Sequence, residues 1–254
     1  MLTSTLLNLV TRIQKYSSYT FTVFLGFHIT NTSILPLLTR SVADSESYLL
    51  LTRPYYQSPL TEPLVVVLPL LAHIGSGVAL RLYRRSQLAK RYGYENREQR
   101  RCLRLPSLSG TSLLGYILLP LVAGHTFVNR ALPLFVEGDS SSVGLGFVSH
   151  GFAKQSVMSF VGYSALIGVG ALHFVWGGAH WLGWTPREVI VGGTEGLERR
   201  KWRWRVLNSL SAGVAGLWMI GGLGIVGRGG ATSGWVGRGY DELYSHIPVL
   251  GRWM

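Results

Sequence analysis

Apolar positions in this chain run on in long stretches interrupted by short polar segments. Each of five stretches holds roughly the 20 apolar residues that a helix needs to cross a bilayer. They cover residues 18–39, 63–83, 109–135, 157–183 and 206–227. The pattern therefore predicts an all-α membrane protein with five transmembrane helices. Residues 1–17 precede them as an N-terminal cytosolic or interfacial segment, either an amphipathic turn or the extended start of helix one, and residues 228–254 follow as a C-terminal segment.

Composition supports a membrane protein over a soluble helical domain. Hydrophobic residues make up 47% of the 254 residues and charged residues 14%, and the mean hydropathy is +0.26. The single cysteine, Cys102, excludes an intramolecular disulfide and a thiolate metal site. The apolar start, Met1 to Val10, is short and is followed by Arg12 and Lys15, unlike a cleavable secretory signal.

The net charge of +12 is unevenly distributed between the polar segments. Basic residues crowd the segments between helices two and three and between helices four and five, whereas the segments after helices one and three are neutral or acidic. The basic positions are Arg84, Arg85, Lys90, Arg91, Arg97, Arg100, Arg101, Arg104, Arg187, Arg199, Arg200, Lys201, Arg203 and Arg205. The positive-inside rule then predicts a cytosolic N-terminus and a C-terminus across the membrane. Because topology explains these charges, we expect no nucleic-acid partner; attraction of anionic lipid headgroups is a secondary role.

An internal repeat relates the first four helices. His28 is followed eight residues later by Pro36, and the same spacing recurs 97 residues on with His125 and Pro133. A second pair, His73 and His173, lies 100 residues apart. Repeat one covers residues 18–83, repeat two covers 109–183, and helix five, 206–227, stands apart. Since two helices separate the copies, they are parallel. We predict two parallel helix pairs forming a four-helix bundle, with the fifth helix beside it.

The repeat predicts that His28 pairs with His125, and His73 with His173, at matching membrane depth. Neutral imidazoles are the usual axial ligands of haem iron, and bundle cores build such sites from facing helices. We therefore predict one or two haem b groups with these four histidines as axial ligands of the iron. The same hypothesis assigns further cofactor-binding roles. Gly77 and Gly177 would leave room for the macrocycle, and Arg81 and Arg130 would pair with propionates.

Other interpretations of these polar positions stay open. The four histidines are also suited to hydrogen bonding between helices, or to handling protons or substrate. A zinc site is disfavoured, because the helices contain no carboxylate or thiol to complete it. His150, His180 and His246 are expected to be interfacial. The run Thr30–Ser33 would line a path for lipid headgroups or bond to its own backbone. Helix five, which is rich in glycine, is predicted to serve packing, with an oligomer through this helix as an alternative.

These residues carry two resemblances. The histidine-bearing helices and the His-x-x-x-Gly pattern of His73 and His173 resemble the cytochrome b anchor subunits of succinate dehydrogenase and fumarate reductase. The run Tyr56-Gln57-Ser58-Pro59 leading into Glu62-Pro63-Leu64, with the basic loop and the terminal fifth helix, is closer to a fungal family. That family is the mitochondrial outer-membrane Mdm-complementing adaptor family, whose transmembrane domain is similar to those anchors. The resemblance covers essentially the whole chain.

The resemblance implies a non-enzymatic adaptor in the mitochondrial outer membrane. It implies membrane lipids and a bridge-like lipid-transfer protein of the vacuolar-sorting class as partners, a part in lipid homeostasis, and a scramblase activity as a further possibility. The alternative is a cytochrome b-type anchor that transfers electrons between a quinone and a partner. The family is thought to recruit its partner through a Pro-x-Pro motif in the N-terminal arm, and this sequence contains no Pro-x-Pro. Either the arm is trimmed from this chain or recruitment differs.

Overall fold

The computed structural model describes residues 2–93 and 107–247 and shows a helical protein, with no strand in those ranges. Five helical segments there are long and apolar enough to cross a membrane, which confirms the predicted all-α membrane protein with five spans. They are Ser4–Thr39, Glu62–Arg91, Gly110–Val136, Ser156–Glu188 and Gly193–Arg228. The predictions for Arg97, Arg100, Arg101, Cys102 and Arg104 concern residues outside the described ranges.

The spans are assembled from α-helices and short π-helical segments. The α-helices are α1 (Leu2–Ile29), α2 (Leu35–Thr39), α3 (Val42–Thr52), α4 (Pro54–Gln57), α5 (Leu68–Arg91), α6 (Gly110–Thr126), α7 (Leu132–Val136), α8 (Leu145–Lys154), α9 (Ser156–Trp181), α10 (Gly193–Gly222) and α11 (Gly234–Ser245). The π-helical segments are π1 (Thr30–Ile34), π2 (Glu62–Val67) and π3 (Phe127–Ala131), and single 3₁₀ turns cover Pro186–Glu188 and Val226–Arg228. Helix one therefore begins at Leu2, as the extended start, and helix five begins at Gly193, well before the predicted residue 206.

Contacts divide the chain into two compact units. The first contains Met1–Phe27 with Thr52–Ser109, and the second contains His28–Leu51 with Gly110–Met254. The first unit holds most of α1 together with α5, and the second holds π1, α6, α9 and α10.

The two π-helical segments π1 and π3 are equivalent positions of the 97-residue repeat. Each follows the helix that carries a histidine, and each precedes a Leu-Pro-Leu run. Leu35 N–H donates to Thr30 O, and Leu132 N–H donates to Phe127 O, both five residues back. Proline lacks an N–H and its ring collides with the carbonyl four residues earlier. A single wide turn takes up that collision, so the helix continues to Thr39 and to Val136. The sequence predicts an end or a kink at these prolines and does not reveal the π turns.

Helix α10 touches the backbone of π1 in the second unit. Gly221 lies against Ser33, so close that a Cβ on Gly221 would overlap the Ser33 carbonyl oxygen. The Ser33 hydroxyl lies 3.2 Å from Leu217 O and 3.0 Å from Trp218 O, which are its acceptors on α10. The predicted packing role of helix five thus centres on Gly221. Around Gly213 and Gly216, by contrast, the positions that a Cβ would occupy are open.

The segments after helices one, three and five pack together in the second unit, and we call this assembly the cap. Its apolar contacts join Leu49 of α3 with Leu145 of α8 and Val226, and Phe147 of α8 with Leu243 of α11. The Glu46 carboxylate also accepts the Gly146 N–H at 3.1 Å. In a chain with five spans these three segments lie on one side of the membrane. Their packing agrees with the alternation that the loop charges predict.

His150 anchors the cap and is not the interfacial loop residue that we expected. It lies on α8 with 1% of its surface exposed. Thr232 N–H donates to its Nδ1 at 3.0 Å, so the ring proton is on Nε2, which donates to Asp241 Oδ1 at 2.9 Å. The hydrogen bonds from His150 and then Lys154 lower the pKa of the Asp241 carboxyl. The contribution of Asp241 is therefore present above its ordinary pKa and is lost as the pH falls through the lowered one.

Replacing His150 with phenylalanine should loosen the cap. The ring volume stays close to that of the imidazole, but the Thr232 N–H loses its acceptor and the Asp241 carboxylate keeps only Lys154 as a donor. We expect a cost of about 1–3 kcal/mol. Amide hydrogen exchange of α11 measures this loss. The matched control is His246→Phe on an exposed ring, with an expected change within about 0.5 kcal/mol. Equal protection of α11 in the two variants would contradict the anchoring role of His150.

Candidate intramembrane site

Two histidines of the repeat meet inside the second unit. His28 lies at the end of α1, just before π1, and His125 lies at the end of α6, just before π3. Their ring centroids are 5.8 Å apart and their planes are inclined at 75°. Both rings are half-buried. The structure thus brings together the first of the two predicted histidine pairs.

A tyrosine and an asparagine complete this cluster, which we call the His28–His125 cluster. The Tyr163 ring on α9 lies 5.5 Å from the His125 ring, at 88°. Asn129 Nδ2 donates to His125 O at 2.9 Å and to Tyr163 Oη at 3.1 Å. Since an amide nitrogen has two hydrogens, these bonds use both, and its 3.4 Å approach to His125 Nδ1 does not fix the tautomer of His125. Asn129 Oδ1 is buried with no hydrogen-bond partner.

In both copies of the repeat, the backbone carbonyl of the histidine accepts a hydrogen bond from a side chain four residues later. Thr32 Oγ1 donates to His28 O at 2.7 Å, and Asn129 Nδ2 donates to His125 O at 2.9 Å. Thr32 and Asn129 occupy equivalent positions, each four residues after its histidine. Each side chain thus bonds to a backbone carbonyl at the start of the wide turn, where the regular α-helical pattern of hydrogen bonds changes.

His73 and His173, the second predicted pair, each make a hydrogen bond within their own unit. His73 Nδ1 lies 3.2 Å from Gln14 O in the first unit, and His173 Nδ1 lies 3.0 Å from Thr111 O in the second. Gln14 precedes His28 by fourteen residues, and Thr111 precedes His125 by fourteen, so the two bonds are equivalent in the repeat. A carbonyl only accepts, so Nδ1 carries the proton in both rings. Each histidine therefore joins two helices of its own unit.

The predicted accessory residues are found at other contacts. A Cβ on Gly77 would lie 3.2 Å from Gln14 Nε2, and one on Gly177 would lie 3.9 Å from Thr111 Cγ2. Gly77 thus leaves room for the Gln14 side chain, and the contact at Gly177 is at ordinary van der Waals distance. Their place beside a macrocycle stays a prediction. Arg130 on π3 donates to Ser140 Oγ. Arg81 is half-buried on α5.

Sequence reasoning missed Tyr163 and Asn129. Both are polar residues in apolar runs. Asn129 is the repeat equivalent of Thr32, for which the sequence predicts a role only as part of the polar run Thr30–Ser33. A comparison of the two copies position by position would have found Asn129. The same comparison would not have found Tyr163, because its contact with His125 depends on how α9 packs on α6.

The chain is an all-α membrane protein whose two repeated helices bear histidines beside π turns. Residues 120–231 match the family model of the MDM10-complementing protein 1 transmembrane domain. Over these residues the match supports the predicted resemblance to the Mdm-complementing family. No curated protein and no solved structure matches the chain. The similarity to the respiratory anchor subunits stays a prediction.

Proposed function

We propose that this protein is an adaptor of the mitochondrial outer membrane that recruits a bridge-like lipid-transfer protein of the vacuolar-sorting class. The observation that carries the proposal is the family match over residues 120–231, which begins within α6 and ends after α10. The name of that family refers to complementation of MDM10. The adaptor then acts in lipid homeostasis, with its N-terminus in the cytosol and its C-terminus in the intermembrane space.

The division of charge supports this orientation. The cap groups the segments after helices one, three and five, whereas the basic start of α10 lies at the other end of α9. Positive charge at that end favours the cytosol. The recruited protein would therefore meet the basic side, where the sequence offers no Pro-x-Pro motif.

Complementation in cells lacking MDM10 tests the adaptor role. We expect that expression of the full chain restores mitochondrial phospholipid content, and that removing the lipid-transfer protein as well abolishes the effect. The matched control is the same chain in cells that keep MDM10. Restoration that persists without the lipid-transfer protein, or a chain that fractionates with another membrane, would contradict the proposal.

Lipid scrambling by the transmembrane helices is a further part of the proposal. A headgroup path along π1 would need its hydroxyls, but Thr32 bonds to the carbonyl of His28 and Ser33 bonds to α10. These contacts favour a helix-joining role for π1. Bleaching of a fluorescent lipid in proteoliposomes decides the question, and a rate equal to that of empty liposomes rejects scrambling.

A haem b held by His28 and His125 completes the proposal. Iron–imidazole bonds of about 2 Å place the two ligand rings roughly 6 Å apart, centre to centre. The observed 5.8 Å between the ring centroids fits that separation. Haem supplies a one-electron redox centre when it is bound. The residues of this chain would hold it between α1 and α6, and so join those helices, while Asn129 ties π3 to Tyr163 on α9.

A further inference from the structure

The surface of the second unit has an open hollow on its basic side. It has a volume of about 440 Å³ and opens to the outside between the 3₁₀ turn Pro186–Glu188 and the start of α10. We call it the α10 cavity. Its lining residues are Pro186, Arg200, Lys201, Trp204 and Arg205. The four residues from α10 lie at spacings of one, four and five and therefore share one face of the helix.

The wall of the α10 cavity is held in place before any ligand arrives. Arg200 donates to Val189 O at 3.1 Å, and Arg203 donates to Thr185 O at 3.3 Å, so two bonds tie the loop to the helix. The loop itself is closed by Thr185 N–H, which donates to Glu188 Oε2 at 2.7 Å. Arg203 also lies over the Trp184 ring, 5.5 Å from its centroid. A preorganised wall lowers the ordering cost of binding.

The charges around the α10 cavity favour an anion. Three cationic side chains line the α10 cavity: Arg200, Lys201 and Arg205. Lys201 also donates a hydrogen bond to the Glu198 carboxylate at 2.9 Å. The Glu188 carboxylate accepts a hydrogen bond from the Thr185 N–H and lies 3.8 Å from His180 Nδ1. An arginine fork matches phosphate oxygens, and an indole N–H adds a further donor.

Exposed apolar residues beside the α10 cavity place it at the membrane surface. Ile190 is 97% exposed and Leu182 is 79% exposed, in the loop that forms its wall. Trp202 and Trp204 are each 56% exposed on α10. Tryptophans with flanking basic residues are typical of the lipid headgroup level. An anion that reaches this position from the bilayer is the phosphate of a lipid.

We propose that the α10 cavity binds the phosphate of an anionic phospholipid headgroup, with Arg200, Lys201 and Arg205 as its cationic ligands. The binding is independent of the histidines and of the recruited partner. It would hold the end of helix five at the headgroup level on the basic side of the membrane.

Native mass spectrometry of the full chain in detergent tests the site. The probes are dioctanoyl phosphatidic acid, dioctanoyl phosphatidylcholine as its zwitterionic counterpart, and inorganic phosphate. We expect the anionic lipid to bind about tenfold or more tightly than the phosphatidylcholine. We also expect Lys201→Gln/Arg205→Gln to lose about tenfold or more of that affinity, since each basic residue contributes to it.

The matched control is Arg187→Gln/Arg199→Gln, which removes the same charge from the same side without touching the lining of the cavity. It should stay within about twofold of the parent. Lys201→Arg/Arg205→Lys should keep the preference, which separates a charge effect from a folding defect. Equal losses in the two glutamine pairs would overturn the proposal, because the attraction would then be diffuse. Displacement of the lipid by an equal concentration of inorganic phosphate would also overturn it, since the site would then serve free phosphate.

Discussion

Gly221→Ala is expected to destabilise the protein, whereas Gly213→Ala on the same helix is expected to leave its stability unchanged or slightly higher. The added methyl at Gly221 would overlap the Ser33 carbonyl oxygen of π1, and a backbone atom cannot move aside as a flexible side chain does. Overpacking of this kind costs typically about 1–3 kcal/mol, and a backbone obstacle places the variant at the upper end. Loss of the hydrogen bond that the Ser33 hydroxyl shares between Leu217 O and Trp218 O would add to that cost.

Gly213 provides the matched control for this prediction. A Cβ there meets nothing within 4 Å, and alanine in a helix is favoured over glycine by about 0.5–1 kcal/mol. Thermal unfolding in detergent, followed by loss of the monodisperse peak in size-exclusion chromatography, measures both variants. If the two midpoints shift equally, helix five does not depend on the close approach at Gly221. Serine at Gly221 should behave like alanine, since the clash comes from the Cβ.

The spans could be predicted from the sequence because length and hydropathy alone decide them. Each predicted stretch falls within one residue of a candidate span or inside it, as with 109–135 against Gly110–Val136. The extra length of helix five could not be predicted, because its first turns are basic. Glu195 with Arg199 and Glu198 with Lys201 form pairs along one helix that stabilise those turns.

The repeat predicted the meeting of His28 with His125 but could not show the arrangement of the other pair. Equal spacing places two residues at equal positions along their helices, and it does not fix which way each ring points. His73 and His173 each bond to a carbonyl of the preceding helix in their own unit. In the structure both form hydrogen bonds between helices, which is one of the roles that the sequence leaves open for them. The cap could not be predicted either, because its contacts join residues that are far apart in sequence. His150, for example, bonds to Asp241, 91 positions away.

The protein purified with haem is expected to show a low-spin spectrum of an iron with two imidazole ligands. His28→Ala and His125→Ala should each abolish that spectrum, because one imidazole cannot complete the axial pair. The matched control is His180→Ala, which removes an exposed ring at the end of the α9 span and should keep the spectrum. Visible absorption after reconstitution with haem measures all three variants, and their size-exclusion profiles report folding. A folded parent chain that stays colourless would contradict haem binding.

Haem stoichiometry separates one site from two. If His28 and His125 hold the only haem, the parent binds one per chain, and His73→Ala and His173→Ala each keep it. Two haems per chain, with one lost in each of these variants, would support the second predicted pair. Nδ1 of His73 and of His173 donates to a carbonyl, which sets the tautomer in which Nε2 carries no proton. The same hydrogen bonds that join the helices would then orient the ligand rings. If His73→Ala loses haem but keeps its unfolding midpoint, the main role of the His73 ring is to bind iron rather than to join the helices.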